Sequence, residues 1–221
     1  MRIGLIPARG GSKRVMFKNT RELNGHPLIA WTINDLKNSE MIDDVYVTTD
    51  NEEIAEIAKE YGSKIIMRPD GISDDYAQLE PAIKHAISVI DEDIDIIGIF
   101  QPTTPFRNIE MIDEGIKKMI NTNADSLIYV CEFDRFIWSI DKKPINYDYK
   151  DRIRSQDKEW ELVECGDYLS RPLTLDMYNN RIGGHIEFQI TDKLSYFDID
   201  TELDLKIANG IAKQLGLHVL N

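Results

Sequence analysis

The strongest constraint on the fold of this chain is a rhythm. Over the first 130 residues, short apolar runs alternate with amphipathic runs of helical period, a pattern that demands parallel strands joined by helical crossovers. Strands are expected at 2–6 (RIGLI), 44–49 (DVYVTT), 64–67 (KIIM), 95–100 (DIIGIF) and 126–130 (SLIYV). Between them, residues 26–39 place Leu28, Ile29, Thr32, Ile33 and Leu36 at helical spacing, with Pro27 tolerated in the first turn. The next helix starts at Asp50 or Asn51 as N-cap, has acids in its first turn and stops at Gly62. Further helices fall at 79–90, through Ile83, Ala86 and Ile90, and near 111–120. From 132 to 180 the period is lost, and this stretch reads as an irregular inserted arm serving dimerisation or acceptor binding. Alternation returns at GHIEFQI, and a C-terminal helix ends on Gly216. The expectation is one α/β domain over 1–221, with a mostly parallel sheet flanked by helices and a small inserted arm.

Composition narrows the partners. The 221 residues carry 26 Lys+Arg against 39 Asp+Glu, a net charge of −13, so the surface repels nucleic acid and anionic membrane wherever cations are not gathered. No run approaches the ~18 apolar residues of a membrane span. The start, 1–5, already has a strand pattern and no signal-peptide character, so the expected location is the cytoplasm. Cys131 and Cys165 fit neither a disulfide framework nor a zinc pattern and read as plain thiols.

Cations are gathered in one place. The first strand runs into LIPARGGSKR, at the carboxyl end of a strand, where open parallel sheets place their ligands. Gly10 and Gly11 let backbone N–H groups approach a phosphate, while Arg9, Lys13, Arg14 and Lys18 supply charge. The stretch is neither a Walker A loop nor G-x-G-x-x-G. A plain glycine turn with solvated basic residues is the alternative, and four cations within ten residues of an acidic chain favour an anion site. A second motif, DIDTELDL at 198–205, sets Asp198 and Asp200 at i and i+2 of an extended segment, on one side, with Ile199 turned inward. The same residues could equally start a helix, with Asp200 or Thr201 as cap and Glu202 and Asp204 complementing the dipole.

IPARGGSKR followed by Lys18-Asn19 resembles the signature of the acylneuraminate cytidylyltransferases, the CMP-sialic acid synthetase family. TTD at 48–50, RPDGISDDYA at 68–77, QPTTPFR at 101–107 and DIDTELDL follow in the family's order. The resemblance implies a Rossmann-like nucleotide-diphospho-sugar transferase fold that joins CTP to a sugar acid and releases pyrophosphate. It implies that Arg9, Ser12 and Lys13 hold the triphosphate, with Gly10 and Gly11 in the same turn and Lys18 and Asn19 beside the nucleotide. Arg68, Ala77 and Leu79 fall where the family contacts the base, and Gln101 falls on the acceptor side. Asp198 and Asp200 match the metal-binding aspartates, expected to hold Mg²⁺, and with Lys13 form the expected catalytic set. A homodimer is implied as well.

The pattern departs from the family in its acceptor half. Met16 stands where proline is usual, and the family's Asn-Gly-Ala, matched to RIGGHIEF, has Gly183 for the asparagine and Glu187 for a common aromatic. Arg154, Arg171 and Arg181 are rival clamps for an acceptor carboxylate, of which Arg171 is preferred. CMP transfer is therefore more strongly implied than sialic acid itself, and a bacterial nonulosonate such as legionaminate or pseudaminate suits the pattern. A transferase of the same fold with another nucleotide or acceptor, or a non-catalytic nucleotide-binding protein, are the competing readings.

Overall fold

The computed structural model describes residues 1–11, 15–72, 78–159 and 161–217. Strand β1 (Arg2–Pro7) leads through a short hairpin, β2 (Glu22–Leu23) and β3 (His26–Pro27), into helix α1 (Leu28–Lys37). Then come β4 (Asp44–Thr49), α2 (Glu52–Glu60), β5 (Lys64–Met67), α3 (Leu79–Val89), β6 (Ile96–Ile99) and α4 (Ile109–Thr122). The remainder is β7 (Ser126–Phe133), β8 (Glu161–Ser170), α5 (Pro172–Tyr178), β9 (Ile186–Ile190) and α6 (Glu202–Leu215). The main sheet has the order β5-β4-β1-β6-β8-β7-β9. β5, β4, β1 and β6 are parallel, β9 is parallel to β7, and β8 alone is antiparallel to both its neighbours. No helix among the described residues is long and apolar enough to cross a membrane.

The local signals act as written. Asn51 caps α2 by accepting from Ile54 N at 3.0 Å. Thr201 and Asp204 close a reciprocal capping box on α6, and Gly216 ends that helix at φ 63°. One core layer packs α1, α2 and α4 on one face of the sheet, through Ile33, Leu36, Ile54, Ile116 and Met119. A second covers the other face, through Ile83, Ala86 and Leu175 of α3 and α5. A third seats α6 on Trp31 and Phe106.

The expected irregular insertion at 132–180 is corrected by this topology. It contains the end of β7, all of α5 and β8, which is interior to the sheet; among its described residues, 134–159 form the one long stretch outside strands and longer helices. β8 escapes a period-2 reading because it is bulged. Ile128 pairs with Tyr168 but Val130 with Glu164, so Cys165, Gly166 and Asp167 stand opposite Tyr129 alone.

Candidate active site

The carboxyl ends of β1, β4, β5 and β6 lie along one edge of the sheet, and the loops leaving them carry the charged residues singled out above. After β1, the backbone turns at Gly10, whose N–H donates to Asp50 Oδ1 at 2.8 Å. A Cβ at Gly10 would stand 2.8 Å from Asn51 Nδ2, so only glycine lets this loop lie against the capped start of α2. The Gly10 N–H thus bonds a carboxylate and does not stand open to a phosphate. Arg9 O accepts from the buried Asn19 Nδ2 at 3.0 Å, which ties the turn to the Lys18–Thr20 helical turn. Ser12 and Lys13, expected on the triphosphate, and Ala77, expected at the base, lie outside the described residues, as does Arg14.

Arg68 leaves β5 toward the same place. Its Nε donates to Thr48 Oγ1 at 3.0 Å and its Nη2 to Thr48 O at 2.8 Å. Burial lowers its pKa to about 10, with Asp50 opposing and the Arg9 guanidinium adding to the fall. Two guanidinium groups held within electrostatic reach of one another form a site that an anion would stabilise. Leu79 opens α3 and packs its side chain toward the core, so its contribution to a ligand would come through backbone groups.

The aspartate segment closes the site from the far end of the chain. Ile199 is fully buried, and its N–H donates to Thr103 O at 2.8 Å. Asp198 is therefore exposed and Asp200 half-exposed on the outer side, as the i, i+2 spacing requires. Lys18 Nζ donates to Ile199 O at 2.8 Å and to Asp200 Oδ1 at 3.2 Å, which brings the cationic turn and the aspartates into one site. Two hard oxygen donors on one side of an extended segment suit Mg²⁺, which takes one or two carboxylates and fills its shell with phosphate oxygens and water. No group of three or more His, Cys, Asp or Glu that could hold a metal occurs among the described residues.

Gln101, just past β6, is held through both its backbone and its side-chain amide. Its N–H donates to Asp167 Oδ1 at 3.2 Å, its Nε2 to Gly166 O at 3.3 Å, and its carbonyl accepts from Arg107 Nη2. Arg107 and Asp167 form a bidentate pair at 2.6 and 2.9 Å with side chains 2% and 5% exposed. Arg107 also reaches Thr32 Oγ1 at 2.9 Å. A second carboxyl, Asp35 of α1, lies in reach of the same guanidinium. Burial raises its pKa to about 7 against the pull of Arg107, and its Oδ2 has no hydrogen-bond partner. Gly166 sits at φ +85°, where a side chain is strained. Gln101, Thr103, Thr104, Glu164, Gly166 and Asp198 line a cleft of about 100 Å³.

Two acceptor-side expectations do not fit this geometry. Arg171 follows the end of β8, and because β8 is antiparallel that end lies at the amino end of β6, where Arg171 pairs with Asp95 and donates from Nε to Ala124 O. It stands about a strand length, ~13 Å, from the edge that carries Gln101. RIGGH is at the same remote end: Gly183 O accepts from Ser126 Oγ and His185 N donates to Asp125 Oδ2. The glycine turn beside Gln101 is Gly166, within VECGDYL. An isolated glycine inside a strand-like run was the signal for it. Arg154 pairs with Asp157 on the exposed arm, and Arg181 bonds Glu80 Oε1 at 2.5 Å and covers the Tyr168 ring.

An α/β sheet with a cationic turn, an aspartate pair and a polar cleft along one edge defines a nucleotidyltransferase-like protein. The family model described as Cytidylyltransferase matches residues 3–162, and the chain belongs to that family. It is 42% identical over 115 residues to an N-acylneuraminate cytidylyltransferase of Escherichia coli O18:K1:H7, covering 52% of this chain and 27% of the relative. It is 31% identical over 215 residues to N-acylneuraminate cytidylyltransferase B of Danio rerio, covering 94% of this chain and 50% of the relative. The chain thus spans half or less of the length of these two relatives. A solved CMP:2-keto-3-deoxy-manno-octonic acid synthetase complexed with CTP superposes with a TM-score of 0.74 at 15% identity, covering 97% of this chain and 99% of that one, a likeness of fold.

Proposed function

We propose that the chain transfers CMP from CTP to the anomeric hydroxyl of a sialic-acid-like sugar acid, a nonulosonate, with release of pyrophosphate. The observation that carries this reading is the contact of Lys18 with Asp200, which joins the end of the basic segment after β1 to the carboxylate pair. Arg9 would bind the phosphates, with Lys13 and Ser12 assigned to the same task from sequence, and Arg68, within electrostatic reach of Arg9, would stand on the base side of the nucleotide. Asp198 and Asp200 would hold Mg²⁺, which when bound draws charge from the phosphate oxygens. Lys18 holds Asp200 in place and adds positive charge where the α-phosphorus gains negative charge during in-line attack. Gln101, its amide oriented by Gly166, would position the acceptor within the cleft beside Asp198.

The reading is of a cytoplasmic enzyme, in keeping with free, buried thiols at Cys131 and Cys165, and of a homodimer. Trp138, Ile140 and Tyr149 of the arm are exposed, and the rings of Phe136, Tyr147, Trp138 and Tyr149 contact one another, a surface suited to covering by a second copy. Sedimentation at one-subunit mass would remove the dimer without touching the chemistry.

The deciding experiment is a pyrophosphate-release assay with CTP, Mg²⁺ and sialic, legionaminic, pseudaminic and octulosonic acids. Turnover of at least one acid is expected. A thermal shift with GTP but none with CTP would overturn the nucleotide assignment.

A further inference from the structure

One carboxylate of the cleft has no part in the reading above. Glu164 lines the same space as Gln101, Gly166 and Asp198. It is set there by the sheet: Tyr168 Oη donates to Glu164 Oε2 at 2.8 Å, and the bulge of β8 puts both residues on one face, opposite Val130 and Ile128. Tyr168 is itself buried and pinned. The Arg181 guanidinium lies 4.7 Å from its ring centroid and bonds Glu80, in the first turn of α3. A chain of contacts, Glu80 to Arg181 to Tyr168 to Glu164, therefore runs from the helix that follows the nucleotide loop to the wall of the cleft. Burial first, then the bond to Glu164, raises the Tyr168 hydroxyl to about 12, so it stays a donor at neutral pH.

The polarity of the wall follows from which atoms are already used. A carbonyl only accepts, so the Gln101 amide must turn its NH₂ to Gly166 O, and its Oε1 faces away from that strand. Glu164 has Oε2 taken by Tyr168 and keeps Oε1. This side of the cleft thus offers Gln101 Oε1 and the Glu164 carboxylate as hydrogen-bond acceptors, with the Asp198 carboxylate lining the same space. An acceptor's own carboxylate is repelled from such a surface, whereas a substituent with several N–H donors is drawn to it.

We propose that Glu164 is a specificity-determining residue that accepts hydrogen bonds from a nitrogen substituent of the acceptor, an amino or amidino group, and turns the acceptor carboxylate away from this wall. The inference rests on the proposed transfer of CMP to a sugar acid and adds which sugar acids are preferred. Arg181, a rival carboxylate clamp by sequence, acts here as a positioning residue, through Tyr168.

The test uses the full chain and nine-carbon keto sugar acids in matched pairs that differ in one substituent, nitrogen against hydroxyl. For the wild type, at least one pair is expected to favour nitrogen. Glu164→Ala is expected to reduce that preference by ~10–100-fold in kcat/KM, through the acceptor KM and with the CTP KM unchanged. Glu164→Gln, of the same shape, is expected to lose the amino preference while keeping the thermal shift with CTP, which shows that the fold and nucleotide site are intact. Tyr168→Phe is expected to weaken the preference in the same direction and less. If the wild type turns over acceptors and Glu164→Ala changes every paired ratio by less than about two-fold, the role of Glu164 is wrong and the transfer reaction stands. If the wild type releases pyrophosphate with none of the acids, the reaction class and this inference fall together.

Discussion

Lys18 Nζ and Asp200 Oδ1 lie 3.2 Å apart although 182 positions separate them in the chain. The lysine side chain is 14% exposed and the aspartate 34%, so the pair is only partly in water. Its second bond, to Ile199 O, fixes the backbone between the two aspartates. A surface ion pair of this exposure is worth ~1 kcal/mol or less to stability. Its importance is therefore positional, because it locks the last loop of the site to the first.

Lys18→Met separates those two roles. The melting temperature should move by only a few degrees, ~1 kcal/mol by the exposed-pair estimate. Pyrophosphate release should fall by ~10²–10³, the cost of removing one preorganised charge from a developing anion. Activity within a few-fold of wild type would place the phosphates elsewhere.

Asp198→Asn and Asp200→Asn should each abolish the extra thermal stabilisation that Mg²⁺ adds to CTP and leave the unliganded melting temperature near wild type. Neither carboxylate is buried, and the helix cap beside them uses Thr201 and Asp204 instead. Retention of a full Mg²⁺ effect in both variants would exclude the pair as the metal site.

Asn51, Thr201 and Gly216 act through bonds to their own neighbours in the chain, and their signals were readable for that reason. Ile199 turns inward because alternation in an extended segment is local geometry, so the outward face of Asp198 and Asp200 was legible too. Arg171 was misplaced because an arginine's charge does not say at which end of a strand it stands, and its partner Asp95 is 76 positions away. β8 was invisible because its bulge breaks the period at Gly166, and the buried Arg107–Asp167 pair spans 60 positions with no local trace.

Gly166→Ala tests that bulge. At φ +85° a Cβ is strained, at ~1–2 kcal/mol, while its nearest atom would be Gln101 Nε2 at an ordinary 3.5 Å. The backbone should relax by shifting the carbonyl that holds Gln101. The expected result is a modest loss of stability and a rise in acceptor KM that exceeds any rise in CTP KM. Equal rises in both would mean that the turn supports the sheet in general and not the acceptor wall.

Asp35 yields a pH dependence of unusual sign. Its carboxyl is raised from 3.8 to about 7, burial being the first cause, Arg107 opposing and Asp167 reinforcing. Between those two values the folded chain keeps a proton that the unfolded chain has released, so stability falls as pH rises through that window and stays lowered above it. Asp167, also raised by burial, adds in the same direction, and the Arg107 guanidinium opposes both shifts. Asp35→Asn removes the titration but keeps the shape. Relative to wild type it should be more stable by on the order of 2–4 kcal/mol at pH 8, with the advantage shrinking steadily toward pH 4. Urea unfolding of both proteins at pH 5 and pH 8 checks this. A stability difference that does not change between the two would show that Asp35 is ionised in the folded state and that Arg107 satisfies two carboxylates at once.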